Sequence, residues 1–84
     1  MQEKEIGTIT HYYNHLNVGI IELADALKVG DRIHIKGHSE DFEQPIDSIQ
    51  IEHAHVTEAK AGDVIGIKVS QKVHPQDKVF KITA

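Results

Sequence analysis

Cysteine is absent from this chain of 84 residues. That excludes disulfides, thiolate nucleophiles and thiolate metal sites. Tryptophan is absent too, and two Tyr and two Phe are the whole aromatic content, which leaves few rings on which bases stack. No apolar run approaches the roughly 18 residues of a membrane span, so no membrane partner is expected. The opening Met1-Gln2-Glu3-Lys4-Glu5 is charged rather than apolar. With no cysteine and no apolar leader, the expected location is cytoplasmic. A basic excess is also missing. The formal net charge is −4 with His neutral, whereas an autonomous nucleic-acid binder usually carries a basic footprint. The phosphate-loop pattern Gly-x-x-x-x-Gly-Lys-Ser/Thr does not occur, so no nucleotide triphosphate site of that kind is expected. No acid, base and nucleophile stand at a catalytic spacing, so the chain reads as a non-enzyme without a cofactor.

What is present suits one domain over residues 1–84. A chain this short buries about 60–65% of its unfolded surface, enough for one small core. Seven His residues make the surface potential pH-sensitive, because full protonation would reverse the sign of the net charge.

Leu27 to Gly37 organises the rest. Gly30 tolerates positive φ and Asp31 can bond local backbone, so the stretch opens as a turn. It continues as a strand, with Ile33 and Ile35 on one face and Arg32, His34 and Lys36 on the other. The segment Lys60-Ala-Gly62-Asp63-Val-Ile65-Gly66-Ile67-Lys68 repeats this grammar. Other strands are predicted at Glu5–Tyr13, Val18–Leu23, Ile46–His53, Asp63–Val69 and Lys78–Thr83. Ile46 lies on the opposite parity to Ile49 and Ile51, which predicts a switch of face near Asp47 and Ser48. His38 to Gln44 reads as an exposed acidic loop, Pro45 as an edge marker, and Val56 to Ala61 as at most one helical turn. Six short strands with turn signals at intervals of about ten residues predict an all-β, small closed barrel.

The same residues carry a resemblance. Leu27-Lys28-Val29-Gly30-Asp31-Arg32-Ile33 resembles the turn and strand of domain 2 in translational GTPases such as elongation factor Tu. Glu58-Ala59-Lys60-Ala61-Gly62-Asp63-Val64-Ile65-Gly66 resembles a later turn of that domain. Gln76-Asp77-Lys78-Val79-Phe80 stands where the family closes its barrel after a Gly that is absent here. Ile35-Lys36-Gly37-His38 and Ser48-Ile49-Gln50-Ile51-Glu52-His53 look closest to small stand-alone elongation factor-like proteins and to the C-terminal barrel of U32-family peptidase-like proteins. The resemblance spans Ile6 to Ile82. It implies a six-stranded Greek-key-like barrel and a binding module that docks on RNA or a ribonucleoprotein. The alternative it implies is a protein-interaction adaptor, a detached U32 C-terminal domain with a protein partner.

Candidate binding residues are Arg32, His34, Lys36 and Lys68, whose outward charges suit phosphates. The competing reading is the ordinary wet face of a strand. His53 and His55 form a His-x-His pair that would share one strand face and so a metal ion; the bland alternative is one half-buried and one solvated imidazole. Asp31 and Asp63 follow Gly and are expected to bond turn backbone rather than to act as acid or base. Glu40, Asp41 and Glu43 are expected to be solvated, with docking of a basic partner as the minor reading. Of Tyr12 and Tyr13, one should fill the core and the other face outward. Gly66 leaves a gap where another backbone can approach closely.

Overall fold

The computed structural model describes residues 2–83. The described residues form ten strands and no helix. They are β1 (Gln2–Tyr13), β2 (Val18–Leu23), β3 (Leu27–Lys28), β4 (Arg32–Lys36), β5 (Asp41–Pro45), β6 (Ile49–Ile51), β7 (Ala54–Val56), β8 (Glu58–Ala59), β9 (Val64–Lys68) and β10 (Lys78–Thr83). Eight lie in one sheet in the order β5-β4-β10-β1-β2-β9-β6-β7, and β3 pairs with β8 apart from it.

The long β1 joins the two halves of the sheet. Its first part pairs antiparallel with β10 and its second with β2. Register shifts between Glu5 and Gly7 and between Ile9 and His11 let one strand serve both partners, because a bulge bends and twists the strand that carries it. Gly7 is required at the first bend: a Cβ there would stand 2.7 Å from the Glu22 carbonyl oxygen.

Curling the sheet brings its inward residues into one core. Ile6, Ile9, Ile21, Ile33, Ile35, Ile49 and Val79 are fully buried, with Ile65 and Ile67 nearly so. Each such side chain stabilises by about 2–3 kcal/mol relative to exposure. The period-two pattern of β4 and β9 puts their isoleucines here, as the sequence predicts. Tyr12 packs on this core and Tyr13 faces outward.

The sheet does not close into the expected barrel. It ends at β5 and β7, which do not pair. The seam beside β5 is bridged by a side chain instead. The Gln44 amide donates to the Lys68 carbonyl at 2.7 Å and accepts from Ser70 N–H at 2.8 Å. Pro45, next along β5, has no N–H to offer a ladder, which fits its place on the edge.

One loop of the sequence reading is a strand. His38 to Gln44 contains β5, because Phe42 and Gln44 alternate inward while Asp41 and Glu43 point out. The stretch from Ile46 to His53 is not one strand. Ile46 and Ile49 are both buried with a break at Asp47 and Ser48, the predicted switch of face. β6 then turns straight into β7 through Glu52 and His53. The expected helical turn over Val56 to Ala61 is replaced by the end of β7 and by β8, whose Ala59 pairs with Leu27.

The two Gly-Asp turns are as predicted, and a third turn of the same kind carries Gln before its Asp. Asp31 Oδ2 accepts from Lys28 N–H and Asp63 Oδ2 from Lys60 N–H, each at 3.0 Å. Gly30 and Gly62 supply φ of 98° and 92°. The third turn has Asp77 Oδ2 accepting from His74 N–H at 2.9 Å. There Gln76 takes the glycine's place at φ 76°, so the missing Gly does not abolish the turn. Each turn launches one strand: β4, β9 and β10.

Candidate protein-interaction face

The outward row of β4 is the first place the sequence directs attention. Arg32 and Lys36 are exposed, but His34, on the same face, is buried, which corrects the expectation that its charge is free to meet a phosphate. Cross-strand partners share a face, so the register places Glu3, Glu5, Asp41 and Glu43 on the same surface. His34 Nδ1 donates to Glu3 Oε2 at 2.7 Å, and Nε2 donates to Asp41 Oδ1. An imidazole with a carboxylate at each nitrogen donates twice only as the cation. The Asp41 hydrogen bond, joined by Glu3, accordingly raises the His34 pKa, against the opposing effect of burial. The same contact with His34 lowers that of Asp41. Arg32 Nε pairs with Glu43 at 3.2 Å, and Lys36 Nζ lies 5.7 Å from the Phe80 ring centre, within cation–π range. Lys68 stands on β9 beside Val18, across the seam that Gln44 bridges. The four expected binding residues therefore form no electropositive patch.

His53 and His55 are not brought together as a strand pair. His53 sits in the β6–β7 turn with φ 68°. His55 lies on β7 opposite Gln50. The parity argument fails because His53 is itself part of the turn that reverses the strand, not a strand residue. Among the described residues, the groups whose ligand atoms lie within 4.8 Å of one another are Glu3, His34 and Glu43, and Glu40, His74 and Asp77.

The second of these groups was not visible as a site in the sequence. Glu40 is buried rather than solvated, and Asp77 is buried beside it. Burial and the Glu40 carboxyl push the Asp77 pKa up. Hydrogen bonds from Asp77 and His74 hold that of Glu40 down. The two carboxyls are thus shifted in opposite directions, and His74 Nδ1 lies 2.9 Å from Glu40 Oε1. This arrangement ties the β4–β5 turn to the loop before β10. The parallel of Gln76-Asp77 to Gly30-Asp31 was the signal that could have found its Asp.

An open apolar surface lies on the outer face of the other half of the sheet, around β2, β9 and β6. Val18 and Ile20 of β2 face outward beside Lys68 and Gly66 of β9. Gly66 pairs in turn with Gln50 of β6. A Cβ at Gly66 would sit 3.4 Å from Val18 Cγ1 and 3.5 Å from Ile20 Cδ1, so its absence leaves a floor without a side chain. Tyr13, Leu16, Ile51 and Val64 surround it in a groove of about 810 Å³. Leu16 is 61% exposed, Val64 52% and Tyr13 47%. Three large apolar side chains left in water around one concavity form a grouped exposed patch rather than scattered exposure.

Comparison with solved structures then places the architecture. The C-terminal domain of a Geobacillus thermoleovorans protein described as a U32 peptidase superposes with TM-score 0.89 at 19% identity, covering 95% of this chain and 93% of that one. Its selenomethionine variant gives 0.86, also at 19% identity, over 90% of this chain and 96% of that one. The fold is that of a U32 peptidase C-terminal domain. Among curated proteins, an uncharacterized protease of Methanocaldococcus jannaschii is 38% identical over 77 residues, 90% of this chain and 19% of that protein. A collagenase of Porphyromonas gingivalis is 32% identical over 82 residues, 95% of this chain and 23% of that protein. The chain thus spans about a fifth of the length of these relatives. No family model matches. These matches lend no support to the resemblance to elongation factor Tu. No helix among the described residues is long and apolar enough to cross a membrane.

Proposed function

We propose that this chain is a non-catalytic protein-interaction module, the counterpart of a U32 peptidase C-terminal domain, which docks on a larger protein through its Gly66 face. The observation that carries this reading is the apolar groove around Gly66, with Tyr13, Leu16 and Val64 exposed at its walls. Support also comes from the relatives, in which the matching segment is one part of a chain about five times longer. Docking on RNA through Arg32, Lys36 and Lys68 is less favoured, because carboxylates from β1 and β5 interleave with the cations around β4. A tagged pull-down with and without nuclease tests the choice. A stoichiometric protein that survives nuclease and is lost with Leu16→Lys supports the module. Material that disappears with nuclease, and whose binding falls steeply with salt, would return the argument to β4.

A further inference from the structure

The walls of the Gly66 groove are apolar, and carboxylates gather at its Val64 end, while Lys68 stands beside Val18 at the opposite end. Glu52 and Asp63 line the groove, and no Lys or Arg does among the described residues. Glu22 stands opposite Val64 in the β2–β9 ladder and adds a third carboxylate beside that wall. A concavity with low-dielectric walls and an acidic end focuses negative potential.

The rim is also held at a cost. Glu52 and His53 make the two-residue connection between β6 and β7 with φ of 50° and 68°. That geometry is the one Asn-Gly satisfies without strain. A Glu in the left-handed region costs about 1–2 kcal/mol. Strain of this kind collects at ligand clamps and similar sites, and here it fixes a carboxylate at the edge of the groove.

We infer that the groove takes a protein segment that seats an apolar side chain over Gly66 and sets flanking Lys or Arg against Glu52, Asp63 and Glu22. This rests on the reading of the chain as a protein-interaction module and names its partner's chemistry. A second copy of this chain is the poorer occupant. Two copies each of net charge −4 repel one another, and like charges select against that pairing.

The test is selection of a randomised 12-residue peptide library on the immobilised chain, with backbone amide chemical shifts mapping where the winners bind. Enriched peptides should share an apolar anchor with Lys or Arg on the flank that meets Glu52 and Asp63, and should shift Leu16, Val64 and Gly66. Gly66→Val fills the floor at a position where φ is ordinary; it should weaken binding about tenfold, as loss of an anchor pocket does. Glu52→Lys leaves the floor intact and should weaken it about three- to fivefold, with circular dichroism confirming the fold of both variants. Enrichment of acidic or uncharged peptides in the groove would overturn the inference while leaving the module reading in place. No enrichment, or winners that bind elsewhere and ignore both substitutions, would overturn it as well. If the pull-down also returned no protein partner, the module reading would fall independently. Self-association in sedimentation that Leu16→Lys abolishes would assign the groove to a second copy and refute the cationic segment.

Discussion

Replacing Gln76 by Gly should make this protein more stable. The three Asp turns share one geometry, yet Gln76 occupies at φ 76° the position that Gly30 and Gly62 fill at 98° and 92°. An L-residue in the left-handed region costs about 1–2 kcal/mol. Glycine removes that cost but loses about 0.5–1 kcal/mol more chain entropy on folding. The net gain is about 0.5–1 kcal/mol. The Gln76 N–H still donates to the Ile9 carbonyl at 2.7 Å, and glycine keeps that donor. The reverse substitutions are internal controls. Nothing lies within 4 Å of a Cβ at Gly30 or Gly62, so Gly30→Ala and Gly62→Ala report backbone strain without a clash and should each cost about 1 kcal/mol or more. Urea denaturation measures all three. With a slope of about 1 kcal/mol per molar for a chain this small, Gln76→Gly should raise the midpoint by about 0.5–1 M at unchanged slope. The three turns would not be physically equivalent if Gln76→Gly were neutral or destabilising while both Ala variants lost stability.

Two further outcomes follow from the side chains that join the strands. Stability should fall as pH rises through the region above 6.5, because His34 is held above its ordinary value by Asp41 and Glu3; a group raised in the folded state contributes fully below its unfolded value and loses that contribution as pH rises through the folded one. His34→Gln should flatten that slope in pH-dependent urea titrations, and an unchanged slope would refute the assignment. Gln44→Ala should cost about 0.5–1.5 kcal/mol by removing the bonds to Lys68 C=O and Ser70 N–H, the usual net worth of a hydrogen bond. The thermal midpoint should fall by several degrees, and an unchanged midpoint would show that the seam is not held by this side chain.

Much of the strand content was legible because it is local. Ile33 and Ile35, Ile65 and Ile67, and the paired Gly-Asp turns state period and punctuation within a few residues. The open space at Gly66 could be read the same way, since a missing side chain is missing in any fold. The strand β5 was not legible. Its inward residues are Phe42 and Gln44, and a Gln looks like a loop residue until its amide is seen bridging to Lys68 and Ser70. His34 was misread for a related reason. Alternation correctly put it on the outer face of β4, but only the register of β1 and β5 brings Glu3 and Asp41 over it.

The sequence by itself determined an all-β domain, its main core isoleucines and the sites of its turns, because side-chain alternation and positive-φ preference are properties of short segments. Tertiary structure decided that the sheet stays open, that Glu40 and Asp77 are buried together, and that Tyr13, Leu16 and Val64 surround one groove. Each of these depends on which strands lie side by side, and that choice is made by packing the whole core at once.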